Sequence, residues 1–282
     1  MQALAGTAIV LGGGGVAGVA WMTGIMAGLH RRGFRIPPDC LLVGTSAGSV
    51  VSAELAHGVS AETLVARQFQ EADEMFRPYS QREANTRGRA LMKKVGGDRS
   101  MARKRVGEFA LASRTPSLDT RRGIIRSRLT HAEWPLRPLR LVAMDAITGD
   151  AMVLDREGGL DLVDAVMASC AVPGVWPAVP SGERWLVDGG LRSLNNADLA
   201  SGKARVLVLA PLGYADDNPV CGHLRAEVDG LREAGASVQV IVPDGSSADA
   251  IGDNVLDPGR RAASAEAGLA QGLREYGMPE AG

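Results

Sequence analysis

Cysteine, histidine and aromatic residues are all scarce in this chain of 282 residues, which holds three Cys, four His and only 4% Phe, Trp and Tyr. Cys40, Cys170 and Cys221 are odd in number and far apart, which excludes a disulfide framework and a CxxC metal or redox pair and points to a reducing, cytoplasmic setting. No His pairs or carboxylate clusters occur at ligand spacing, so no metal or other cofactor is expected. Beyond the first twenty-nine residues no apolar run approaches the eighteen residues of a membrane span. The first twenty-nine residues carry no charge, but Met1 to Ile9 lacks a basic n-region, and Gly12 to Gly15 would interrupt any spanning helix. Neither a signal peptide nor a transmembrane segment is therefore expected. Apolar residues at 45% and charged residues at 22% fit a globular protein rather than a disordered or fibrous one.

The formal net charge of −1 conceals an asymmetry. Between Arg67 and Arg128 stand sixteen Lys/Arg against seven Asp/Glu. Arg87, Arg89, Lys93, Lys94, Arg99, Arg103, Lys104 and Arg105 face a single acid, Asp98. Two readings stand side by side: a solvated helical insertion, or a basic patch that meets an anionic surface such as phospholipid headgroups. No aromatic is interleaved among these charges, so a nucleic acid would find no stacking platform.

Glycine is what the chain has in excess, thirty-six residues or about 13% against the usual ~7%. Thr7 to Leu11 reads as a buried strand stopped by glycine, and Val16 to Leu29 as a helix. Leu41 to Val43 reads as a second strand, stopped at Gly44, with a helix over Ala47 to Ala56. This β-turn-α-β-turn-α opening indicates a parallel sheet covered on both faces. Residues 60–135 read as a charged helical insertion. Further strands are expected at Leu139 to Met144, Ala151 to Leu154, Arg184 to Val187, Arg205 to Leu209 and Ser237 to Val242. Helices are expected at Leu160 to Cys170, Gly222 to Ala234 and Arg260 to Tyr276. The alternation predicts one α/β domain over residues 1–282. The spacings Gly14/Gly18 and Gly24/Gly28 would also suit a helix-dimer face in lipid.

Two strand-to-helix turns carry chemistry. The first, Gly12-Gly13-Gly14-Gly15-Val16-Ala17-Gly18, brings N–H groups and a helix N-terminus towards an anionic atom. It also matches the dinucleotide fingerprint, although Asp39 lies at the wrong end of its strand to bind a ribose. The second, Gly44-Thr45-Ser46-Ala47-Gly48, is a G-x-S-x-G elbow that would expose Ser46 Oγ above the sheet. A nucleophile and a set of oxyanion donors thus lie side by side. Asp188, in Leu186-Val187-Asp188-Gly189-Gly190, would point at the same sheet edge, or would hydrogen-bond its own turn.

The glycine loop Gly13-Gly14-Gly15-x-x-Gly18, the elbow around Ser46 and the Asp188-Gly189-Gly190 turn resemble, in order, the motifs of the patatin-like phospholipases, over roughly residues 7–200. Ala168-Ser169-Cys170-Ala171-Val172-Pro173-Gly174-Val175-Trp176-Pro177 and Asn196-Ala197-Asp198 are similar to further blocks of that family. The resemblance implies a three-layer α/β/α fold with a mainly parallel central sheet. It also implies hydrolysis of lipid acyl esters by a Ser46–Asp188 dyad, with Gly13, Gly14 and Gly15 as the oxyanion hole and Gly18, Gly44, Gly48, Gly189 and Gly190 supporting the turns. Ala17 departs from the pattern, which usually has Arg or Lys there, and Ser49 stands where a small apolar residue is common. Alternatives left open are a lipid-binding or regulatory protein with little turnover, a nucleotide-binding protein, and a Ser-His-Asp hydrolase using His223. Peripheral contact with an anionic membrane is a further expectation.

Overall fold

The computed structural model describes residues 4–71 and 74–275. Tyr276, the expected end of the last helix, lies outside these residues, as do Met1 to Ala3 and, within the insertion, Ala72 and Asp73. Three apolar strands form the centre of the sheet. β1 (Thr7–Leu11) lies between β2 (Leu41–Thr45) and β7 (Arg205–Leu209), parallel to both. β8 (Ser237–Ile241) extends the parallel array beyond β7, and β3 (Leu139–Asp145) extends it beyond β2. The order is β5-β6-β3-β2-β1-β7-β8, with β4 (Ala151–Leu154) paired to β3. β5 (Val179–Ser181) and β6 (Arg184–Asp188) make the far edge antiparallel, so the sheet is mixed.

Side-chain alternation along these strands builds two cores. Ile9, Leu11, Leu42, Leu141, Leu207 and Leu209 face one side, where α1 (Gly15–Arg31), α2 (Ala47–Ala56) and α7 (Leu162–Ser169) contribute apolar residues. Ala8, Val10, Val43, Val142, Val206 and Val208 face the other, packed with Leu224, Val228 and Leu231 of α8 (Leu224–Glu233). Because both faces are covered, the strands are apolar throughout instead of alternating with polar residues.

The insertion is helical, as expected, and its helices begin at side-chain caps. Ser60, Ser80, Asp98 and Ser117 accept from backbone N–H groups at the starts of α3 (Ala61–Ala66), α4 (Gln81–Lys94), α5 (Arg99–Ala112) and α6 (Leu118–Arg128). Part of its charge is spent on carboxylates: Arg67 pairs with Glu54, Arg89 with Asp217, Arg122 with Asp161 and Asp164, and Arg128 with Glu74. Lys93, Lys94, Arg99 and Lys104, around the α4–α5 turn, are exposed and have no ion-pair partner among the described residues.

β2 runs two residues past the expected stop, because Gly44 and Thr45 still pair with Leu141 and Val142. β5 and α9 (Gly245–Ile251) were not expected. The first is three residues long and contains Pro180; the second is a short polar helix capped by Asp244.

Gly24 and Gly28 of α1 meet another glycine pair within the fold, whereas Gly14 and Gly18 lie against Pro211. α10 (Arg261–Gly272) lies along α1, with Gly24 and Gly28 against Gly268 and Gly272. A Cβ at Gly28 would lie 2.6 Å from the Gly272 carbonyl carbon, and one at Gly24 would overlap the Ala265 carbonyl oxygen. Among the described residues no helix is long and apolar enough to cross a membrane. At an exposed helix position Gly→Ala stabilises by about 1 kcal/mol. Gly28→Ala should instead destabilise by about 1–3 kcal/mol, since the backbones must separate; thermal unfolding reads the sign directly.

Candidate active site

Two strands share one side of β3. β2 ends with Thr45 beside Val142, and β6, running the opposite way, ends with Asp188 beside Ala143. β4 occupies the other side, where Val142 and Ala143 pair with Val153 and Met152. The C-terminal ends of β2 and β6 therefore abut, and the residues leaving them meet. Ser46 Oγ donates to Asp188 Oδ2 at 2.8 Å.

Ser46 leaves β2 with φ 50° and ψ −118°, a left-handed conformation that is costly for a side chain and persists only when its surroundings hold it. They do so with three bonds to side chains. Its N–H donates to Ser169 Oγ at 2.9 Å, and its carbonyl accepts from Ser49 Oγ at 2.6 Å and from Cys170 Sγ at 3.2 Å. Gly48 seats the following helix against the glycine loop: its N–H donates to the Gly12 carbonyl at 3.1 Å, and a Cβ there would overlap the Leu11 carbonyl. Of these supports, Ser49, Ser169 and Cys170 were not read as site residues. Ser169 and Cys170 do lie in the 168–177 segment that resembles a further block of the family.

Asp188 is held by its own turn and by the 168–177 segment. Gly190 N–H donates to Oδ1 at 2.7 Å, and Asp188 N–H donates to the Ala171 carbonyl at 3.1 Å. Both readings of its sequence thus hold together, since one carboxylate oxygen caps the turn and the other receives the serine. Burial pushes the carboxyl up to about 6, against the opposing pull of the Gly190 N–H, the Ser46 hydroxyl and Arg121.

The glycine loop lies beside the serine, a Cβ at Gly13 falling 3.6 Å from Ser46 Cβ. Gly13 departs from the expectation of a free donor, because its N–H is committed to the Leu194 carbonyl at 2.8 Å. The N–H groups of Gly14 and Gly15 have no acceptor among the described residues. Ala17 is fully buried and its N–H donates to Val255.

Ser46, Asp188 and Gly13 to Gly15 line a cavity of about 640 Å³ whose other walls include Tyr79, Leu91, Val106, Phe109, Leu191 and Leu194. α4 and α5 of the insertion thus form one wall. His223 is not part of this arrangement; its Nε2 lies 3.0 Å from the Val220 carbonyl, and Ser46 Oγ is bonded to Asp188 without an intervening imidazole. Asp39 is exposed at the opposite end of β2 from Ser46, which leaves the nucleotide reading without its ribose ligand.

A patatin-like phospholipase family model matches residues 9–201. The chain belongs to the patatin-like phospholipase family. Among solved structures it is similar to VipD from Legionella pneumophila, with 13% identity and a TM-score of 0.47 over 96% of this chain and 66% of that one. It is also similar to the type III effector protein ExoU, with 15% identity and a TM-score of 0.42 over 96% of this chain and 53% of that one. The chain thus spans less than two thirds of the length of both. No curated protein sequence matches it.

Because Asp188 titrates near 6 in the fold and near ~3.9 unfolded, folding favours its protonated form. That favour is complete below the unfolded value and is lost as pH rises from about 4 through about 6, so above this window the ionised carboxylate costs roughly 3 kcal/mol. Asp188→Asn should therefore be about 3 kcal/mol more stable than the parent at pH 8. The gap should close towards pH 4 in denaturant titrations.

Proposed function

We propose that the chain is a serine hydrolase of lipid acyl esters, with Ser46 as nucleophile and Asp188 as general base. The observation that carries this reading is the 2.8 Å bond from Ser46 Oγ to Asp188 Oδ2 at one end of a largely apolar cavity. In the reading, Asp188 accepts the hydroxyl proton while Oγ attacks the ester carbonyl. The oxyanion that forms is taken up by the N–H groups of Gly14 and Gly15, at the N-terminus of α1, where the helix dipole adds positive potential. Gly13 anchors the loop through Leu194. The leaving alcohol recovers the proton from Asp188, which then activates the water that releases the acid. The acyl chain lies against the apolar wall of Leu91, Val106, Phe109 and their neighbours.

Encounter with substrate is proposed to occur at an anionic bilayer. Lys93, Lys94, Arg99 and Lys104 present unpaired charge at the α4–α5 turn, and Phe109, on the cavity wall, is 55% exposed. Association with vesicles containing anionic phospholipid should weaken steeply as salt rises, because screening shortens the reach of these charges. Salt-insensitive co-sedimentation would contradict the arrangement.

For the chemistry, Ser46→Ala and Asp188→Asn should each lower hydrolysis of acyl esters by about 10³-fold or more, and His223→Ala should leave it within about twofold. A fluorophosphonate should label Ser46 stoichiometrically. A loss with His223→Ala and survival of Asp188→Asn would transfer the base role to the imidazole. Vesicle binding without release of fatty acid would favour a lipid-binding role for the fold.

A further inference from the structure

Among the described residues of the insertion Arg121 is the one fully buried cation. Arg121 is 2% exposed, on the inward face of α6 with Ile124 and Ile125. Its guanidinium lies over the Trp176 ring, 3.9 Å from the centroid. Nη2 donates to the Cys170 carbonyl at 3.5 Å, and Nε and Nη1 are buried with no hydrogen-bond partner. On the same helix Arg122 and Arg128 are matched by carboxylates, whereas Arg121 has no ion-pair partner among the described residues. An unpaired buried guanidinium is expensive, so its position calls for a return elsewhere.

The surroundings point to the dyad. Arg121 touches Cys170, whose thiol donates to the Ser46 carbonyl and whose neighbour Ala171 accepts the Asp188 N–H. The groups that act electrostatically on Asp188 come from several elements: Tyr79 before α4, Cys170 after α7, Cys221 before α8, and Arg121 on α6. Burial pushes the phenol and both thiols upward, so they stay neutral at pH 7. Arg121 is therefore the cation in this set. Together with the stronger pull of the Gly190 N–H and the Ser46 hydroxyl, it favours the carboxylate form that burial disfavours.

Resting on the hydrolase reading, we infer that Arg121 is a positioning residue of the dyad: a buried cation, seated on Trp176, that keeps Asp188 ionised and braces the Cys170–Ala171 turn behind it. It acts through Asp188 and does not itself meet the substrate.

The test follows the pH dependence of fluorophosphonate labelling of Ser46, and of kcat/KM for a short-chain p-nitrophenyl ester, in the parent, Arg121→Met and Arg121→Lys. The parent's acid limb should track Asp188. In Arg121→Met that limb should move up by about one pH unit, so that the rate falls about fivefold at pH 6 and recovers by pH 8, with KM within about twofold. Arg121→Lys should restore most of the shift. If the Met variant is recovered unfolded, Arg121→Gln keeps a donor for the Cys170 carbonyl, lacks the charge and should show the same displacement. A labelled parent whose folded neutral variant keeps the parental limb overturns this inference alone, as does an equal displacement in the Lys and neutral variants. A parent that is not labelled at any pH overturns the hydrolase reading and this inference with it.

Discussion

The head-on meeting of β2 and β6 along one side of β3 is the constraint from which the site's geometry follows. A strand that pairs with β3 as far as Val142 must hand over to one that begins pairing at Ala143, and the two chain ends leave the sheet at the same place. Ser46 and Asp188 are 142 positions apart in the chain, yet their separation in space is set by ladder hydrogen bonds rather than by flexible loops. The long helical insertion between β2 and β3 leaves this register intact because it departs from the sheet after α2 and returns only at Leu139.

Placing the pair there requires strain and burial together. The left-handed backbone at Ser46 is held by Ser49, Ser169 and Cys170, and the last two belong to the segment whose Ala171 carbonyl holds the Asp188 N–H. One short turn therefore controls both members of the pair. Burial raises the proton affinity of Asp188, making it a stronger base than an exposed carboxylate, and at neutral pH it is still largely ionised. Stability and basicity are opposed at this residue, because the same desolvation that strengthens the base destabilises the folded chain once it is charged.

How much of this was legible in the sequence depended on whether the cause was local. The elbow at Ser46 needs a strand, two glycines and a helix within a dozen residues, so the string alone placed it. The parallel core could be read from its uninterrupted apolar strands for the same reason. Register could not, since the abutment of β2 and β6 depends on β3, some hundred residues from the elbow. Gly24 and Gly28 were visible as a close-packing pair, but the partner that explains them, Gly268 and Gly272, is more than two hundred residues away. Arg121 was one of sixteen basic residues in a segment read by its net charge. Its one local signal was its helical spacing to Ile124 and Ile125, an arginine aligned with an apolar stripe.

The commitment of Gly13 to Leu194 also bears on how the proposed oxyanion site can be stable before it is used. A buried N–H without an acceptor is costly, and a loop with several would relax by turning them onto nearby carbonyls. Here the loop is fixed at its start by the Gly12 carbonyl receiving Gly48 N–H and by Gly13 N–H reaching Leu194, and at its far end by Ala17 N–H reaching the Val255 carbonyl. Of the three loop glycines that line the cavity, Gly14 and Gly15 have no acceptor for their N–H groups among the described residues. Under the proposed reaction these donors gain their full partner when the ester carbonyl becomes an oxyanion, so the interaction strengthens in the transition state relative to the bound substrate, which is the condition for accelerating the chemical step.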